Sequence, residues 1–249
     1  MNRIEIDNLP KLKFASSEAL NTLATNLFYC GDHIKTIMMT SRYAYEGKSY
    51  VTMNLMCTLA SLQKKVVLLD TDLRCSRMVS NYQMRFPDDH NRGLAHYLAG
   101  ICELDDIIYE TNVENACIVP IGREISNSLQ LLSSTRTQVL MDTLRERFDY
   151  VLVDTPPVGV IVDALQIAKY CDGVLLVIAY KRGRRQDVKE VVESINNTGC
   201  PVLGSVLNNV DLGSFTNRKY YYKSERYSSY YRGHYMPYNV NSKLRNMVE

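Results

Sequence analysis

The chain has 249 residues, 46% of them hydrophobic, and a formal net charge of +2, which suits one α/β domain whose sheet is covered by helices on both faces. Its longest nearly unbroken apolar run, residues 173–180, has a strand's length and falls far short of the roughly 20 residues a membrane-spanning helix needs. The charged start MNRIEIDNLPKLKF has no apolar h-region, so secretion is not expected, and seven cysteines without paired spacing point to buried thiols in a reducing compartment, with no Cys and His at metal-ligand spacing.

In chain order, the pattern predicts a helix over about 17–29, a strand over 36–40 and a helix over 49–62. A strand over 65–69 follows, then strands over 116–120, 150–153, 173–178 and 202–207, with helices over 134–148, 162–170 and 185–197 between them. Strands alternating with helices imply parallel pairing and right-handed crossovers, hence a doubly wound, mostly parallel sheet in a single domain. From residue 213 onward the composition changes. This tail has seven basic and two acidic residues, so it carries about +5 and leaves the body about −3. It also holds Tyr220, Tyr221, Tyr222, Tyr227, Tyr230, Tyr231, Tyr235 and Tyr238 with few aliphatic residues to bury beside them, and is expected to be flexible. Such a segment suits a nucleic-acid stacking surface, an adhesive low-complexity tail or a set of phosphorylation acceptors.

Three segments carry chemistry. Gly47-Lys48-Ser49 lies where a strand turns into a helix, the place where backbone N–H groups, a lysine and a hydroxyl hold nucleotide phosphates and a divalent ion. Only half of a Walker A loop is present, because Arg42 stands where the first glycine belongs and Ala44-Tyr45 where a tighter version has Pro-Gly. The second segment, VVLL running into Asp70-Thr71-Asp72-Leu73-Arg74, is a buried strand that ends in two carboxylates, which face the ligand crevice of a parallel sheet. The third, YVLV followed by Asp154-Thr155-Pro156-Pro157, ends another strand in an acid, as a Walker B segment requires. One such Asp is ordinarily a turn former; three of them with Lys48, in this order, point to a nucleotide site.

EGKS, LLDTDLR and VDTPP, with Asn208 inside VLNNVD and the tyrosine-crowded tail, together resemble the bacterial tyrosine kinases of capsule and exopolysaccharide synthesis, of the stand-alone type. The similarity covers nearly the whole chain, and LLDTDLR is its most discriminating part. It implies a P-loop NTPase-like fold divided into an N-terminal segment (1–34) with an oligomerisation-type helix, a kinase domain (35–212) and a tyrosine-rich basic tail (213–249). It further implies ATP and Mg2+ as cofactors, with Lys48 reaching the β- and γ-phosphates and the backbone of Glu46, Gly47, Lys48, Ser49 and Tyr50 cradling them. Ser49, Asp72 and Asp154 are the expected metal ligands. Asp70 is expected to orient or deprotonate the acceptor hydroxyl, in a role exchangeable with that of Asp72. Arg74 either stabilises charge or makes a structural ion pair, and Asn208 reads the adenine edge. The eight tail tyrosines become the phosphoacceptors, so no nucleic-acid partner is expected.

The implied partners are a transmembrane polysaccharide co-polymerase or adaptor that activates the kinase, a cognate tyrosine phosphatase and further copies of the chain. The expected location is cytoplasmic, at the inner face of the membrane. Two departures stand out. The family's Glu-x-x-Arg-x-x-Arg pattern on the N-terminal helix reads Glu18, Asn21 and Ala24 here, and Tyr45 replaces a glycine of the loop. A side chain at a position needing positive φ costs about 1–2 kcal/mol. These changes fit either a divergent active kinase or a relative kept as a scaffold, and the retained Lys48, Ser49, Asp70, Asp72 and Asp154 favour activity. A partitioning or septum-positioning ATPase shares the sheet and the Gly-Lys-Ser helix, but such proteins carry a lysine early in the loop, where this chain has none.

Overall fold

The computed structural model describes residues 2–87 and 91–211. The tail tyrosines and residues 212–249 lie outside the described residues. In chain order the elements are β1 (Asn2–Arg3), β2 (Glu5–Ile6), α1 (Phe14–Tyr29), β3 (Thr36–Ser41), α2 (Lys48–Ser61), β4 (Val66–Asp70), α3 (Met78–Asn81), β5 (Met84–Arg85) and α4 (Leu94–Leu98). There follow β6 (Tyr109–Glu110), β7 (Ala116–Val119), α5 (Ser128–Leu132), α6 (Thr135–Arg147), β8 (Tyr150–Asp154), α7 (Asp163–Ala168), β9 (Gly173–Ala179), α8 (Arg185–Asn196) and β10 (Val202–Asn208).

Eight strands form one sheet in the order β1-β6-β7-β4-β8-β3-β9-β10. From β7 to β10 every neighbour is parallel; the single antiparallel pair of this sheet is β6 with β7. Strands β3, β4 and β8 are buried along their whole length, which is why their sequences are continuous apolar runs rather than alternations. Successive side chains serve opposite faces. Ile37, Met39, Val66 and Leu68 pack with α1 and α2, Val67, Leu69, Val151 and Val153 with α4–α6, and Met38, Val174 and Leu176 with α7 and α8. The edge strand β10, covered less, alternates between exposed and half-buried residues.

Helix α1 follows the predicted spacing, with Leu20, Ala24 and Leu27 buried. The two residues that stand where the family's pattern has arginine behave differently: Asn21 is exposed and donates to Glu18 at 3.2 Å, whereas Ala24 is fully buried. Helix α2 lies between α1 and the sheet and buries residues around most of its circumference, among them Met53, Leu55, Met56 and Leu59. Burying one such side chain is worth about 1.5–3 kcal/mol, so packing holds α2 and no side-chain cap is made at its N-terminus. The expectation of buried thiols needs correction. Only Cys102 and Cys200 are buried, and Cys75 is exposed on the loop after β4, a segment that faces the crevice rather than the core.

Candidate functional site

The site lies at the carboxyl ends of β3, β4 and β8, where α2 begins. Gly47 has φ +85°, and a Cβ on it would stand 2.0 Å from Asn208 Nδ2. Conformation therefore favours glycine here, and any side chain would have to displace the Asn208 amide. As the residue before α2 it has no side chain to cap the helix, and the first-turn N–H groups have no intrahelical acceptor. They and the positive end of the helix dipole form an anion-binding site.

Lys48 projects from this turn onto Asp154, with Nζ 3.2 and 3.1 Å from the two carboxylate oxygens; the lysine side chain is 10% exposed and the aspartate's 3%. Ser49 donates its hydroxyl to Asp154 Oδ2 at 2.6 Å, and Thr52, one turn further, places Oγ1 3.3 Å from Oδ1. Strand pairing sets Asp70 directly beside Asp154 in register. Asp70 accepts the Asp72 N–H at 3.1 Å and the Ser76 hydroxyl in close contact. Burial, reinforced by the Asp154 charge, pushes the Asp70 carboxyl up to about 7, although Ser76 and Lys48 pull the other way. The Asp72 carboxyl is also raised, chiefly by burial. It accepts the Cys75 N–H at 3.2 Å and so closes the turn after β4.

Arg74 makes the structural ion pair that the sequence left open. Its Nε donates to Asp163 Oδ2 at 2.9 Å, and Asp163, 2% exposed, also accepts from the Ser128 hydroxyl. Asn208 donates Nδ2 to the Glu46 carbonyl at 2.9 Å. Tyr50 is 44% exposed and faces a groove between α1 and β10 of about 810 Å³. Tyr45 takes φ +65°, the left-handed conformation that a glycine supplies without strain, and the residue is 81% exposed.

Lys48, Ser49, Asp70 and Asp154 are thus brought together, with Asp72 on the adjoining turn and Asn208 at the end of β10 bonded to the loop, while Arg74 is turned to Asp163. Sequence reasoning missed Thr52, Ser76, Asp163 and Tyr82, whose hydroxyl donates to the Ser49 carbonyl at 3.2 Å. Thr52 was visible as the residue four after Lys48 on one helix face; the others carry no local signal. The donors around Lys48 are all oxygens, as a hard divalent cation requires. Among the described residues no group of three His, Cys, Asp or Glu is placed to hold a metal by itself.

The chain matches the AAA domain family AAA_31 over residues 16–199. It is 34% identical over 204 residues to the tyrosine-protein kinase CpsD of Streptococcus pneumoniae serotype 4, which covers 81% of this chain and 88% of that one. The kinase domain of the Escherichia coli tyrosine kinase ETK superposes with a TM-score of 0.74 at 26% identity, covering 82% of this chain and 81% of that chain. The septum site-determining protein MinD of Pyrococcus horikoshii OT3, complexed with Mg-ADP, reaches a TM-score of 0.60 at 26% identity over 72% of this chain and 71% of that one.

Proposed function

The chain belongs to the bacterial protein-tyrosine kinases of capsule and exopolysaccharide synthesis, and from that premise we propose that it transfers the γ-phosphoryl group of ATP to tyrosines of its own C-terminal tail. The observation that carries this reading is the convergence of Lys48, Ser49 and Asp154, with Asp70 in register beside them, at an uncapped helix N-terminus. Phosphoryl transfer depends on placing and neutralising charge rather than on covalent chemistry, and these groups supply both. Lys48 reaches the β- and γ-phosphates, exchanging part of its contact with Asp154 for phosphate oxygens. The N–H groups of Glu46, Gly47, Lys48, Ser49 and Tyr50 cradle the phosphates. Ser49 and Asp154, with Asp72 on the adjoining turn, are the residues to hold Mg2+, which when bound neutralises phosphate charge.

Asp70 orients the acceptor hydroxyl or takes its proton; a carboxyl raised to about 7 suits that work near neutral pH. The role is exchangeable with that of Asp72, since each carboxylate also accepts a backbone N–H of the turn after β4. Arg74 anchors the loop through Asp163. Asn208, with Nδ2 committed to Glu46, keeps Oδ1 to accept from the adenine amino group. The acceptors are Tyr220, Tyr221, Tyr222, Tyr227, Tyr230, Tyr231, Tyr235 and Tyr238. No helix among the described residues is long and apolar enough to cross a membrane. Recruitment to the cytoplasmic face by a transmembrane adaptor, reversal by a tyrosine phosphatase, assembly with further copies and control of polysaccharide export complete the proposal.

The test is phosphotyrosine formation on the purified chain with Mg-ATP, with and without cytoplasmic peptides of a candidate adaptor, beside Lys48→Met and a chain ending at residue 212. Signal lost in both variants is the expected result. Nucleotide binding without phosphotyrosine under any condition would mean a scaffold, and steady phosphate release without phosphotyrosine an ATPase.

A further inference from the structure

The side chain of Glu46 has no part in the site described above, yet it is among the best-buried polar groups of the chain at 2% exposure. A carboxylate inside a loop meant for phosphates works against anion binding by its charge alone, so its retention needs a reason. Its two oxygens have separate tasks. Oε2 accepts the Tyr43 N–H at 2.8 Å, across the loop, and Oε1 accepts the Ala179 N–H at 3.2 Å, at the end of β9. Its own carbonyl accepts from Asn208 at the end of β10. One residue thus joins both halves of the loop to two neighbouring strands.

The loop between β3 and α2 contains one glycine, Gly47, and Tyr45 is held at φ +65°. Glycines let such a loop close around phosphates at no steric cost; here the shape is set by side chains. Besides Glu46, Tyr43 donates its hydroxyl to Asp187 at 3.0 Å, and Arg182 donates to the Tyr45 carbonyl at 3.1 Å. Of these only Glu46 binds N–H groups. By taking those of Tyr43 and Ala179, it fixes the loop on the side that leads into α2, where the first-turn N–H groups have no intrahelical acceptor.

We propose that Glu46 is a positioning residue that orders the phosphate-binding loop through the Tyr43 and Ala179 N–H groups, doing with a carboxylate what glycines do in an ordinary loop of this kind. The inference rests on the nucleotide-binding part of the proposed function, not on phosphoryl transfer. It makes a claim about sign. If Glu46 acted only as a negative charge near the phosphates, Glu46→Gln would tighten nucleotide binding. As a positioning residue it loses on substitution, because the glutamine amide can accept only one of the two N–H groups and turns its own N–H2 toward the other.

The experiment is a fluorescence titration of the full chain with Mg2+ and N-methylanthraniloyl-ATP, using wild type, Glu46→Gln and Glu46→Asp, with thermal unfolding as the check on folding. Glu46→Gln is expected to bind about tenfold or more weakly, the loss of one hydrogen bond to a charged group. Where turnover is measurable, the KM for ATP should rise while kcat at saturation stays within about threefold. Binding by Glu46→Gln equal to or tighter than wild type overturns the proposal. Should that variant not fold, Glu46→Asp, too short to span both N–H groups, decides it, and unchanged affinity there overturns the proposal equally. Wild type that binds the probe but forms no phosphotyrosine refutes the kinase reading and leaves this test intact.

Discussion

Lys48→Met is the most informative single change, because it separates two consequences of one contact. The Lys48–Asp154 pair is 3.1 Å long between side chains that are 10% and 3% exposed. Removing the cation leaves Asp154 buried beside Asp70, with the Ser49 and Thr52 hydroxyls as its remaining side-chain partners. Breaking a buried pair in this way costs about 3–5 kcal/mol. At about 2–4 °C per kcal/mol for a domain of this size, the unfolding midpoint should fall by roughly 6–20 °C.

Lys48→Met should lose stability relative to wild type at pH 8, because Asp154 stays buried without its cation. Urea unfolding of wild type, Lys48→Met, Asp154→Asn and the double variant at pH 8 measures this. The double variant, in which residue 154 no longer carries a charge, should be more stable than Lys48→Met. A loss below about 1 kcal/mol at pH 8, or a double variant no more stable than the single one, would refute the buried-pair reasoning. Phosphotyrosine formation should disappear in Lys48→Met whatever its stability.

Asp70→Asn tests the neighbouring carboxyl. The folded-state pKa of Asp70, about 7, lies above its unfolded value, so wild type loses stability as pH rises from the ordinary carboxylate range through about 7. In unfolding titrations without nucleotide, Asp70→Asn should gain on wild type between pH 5 and 8; a gap independent of pH would contradict the raised pKa. Gly47→Ala combines a left-handed φ with a Cβ 2.0 Å from Asn208 Nδ2. It should cost at least about 1–2 kcal/mol from the backbone alone and weaken binding of the fluorescent nucleotide, read by calorimetry and by titration. Nucleotide affinity equal to wild type would show that the loop accommodates a side chain there.

Strands β3, β4 and β8 were legible because each is buried along its whole length and so reads as an unbroken apolar run; β3 and β8 run one residue past the predicted ranges and β4 is displaced by one residue. Helices α2, α6 and α8 likewise begin or end within a residue of expectation. The strands β1, β2, β5 and β6 escaped notice. Each is two residues long, too short for periodicity, and exists only because a distant segment pairs with it, as Asn2 does with Tyr109. The short helices α3, α4 and α5 have four or five residues and no amphipathic repeat to read.

The site divides along the same line. Gly-Lys-Ser before a helix and an acid at the tip of an apolar strand are local statements, because burial and helix dipoles act over a few residues, and by itself the sequence determined that Lys48, Ser49, Asp70 and Asp154 stand at the ends of regular elements. Which of these ends meet was decided by strand order. Asp70 lies beside Asp154 because β4 pairs with β8, 84 positions later in the chain, and burial together with that neighbour raises its pKa. Arg74 found Asp163 and Glu46 found Ala179 across comparable separations. A charged side chain takes whatever partner the packed chain brings within about 3 Å, and only the tertiary structure names that partner.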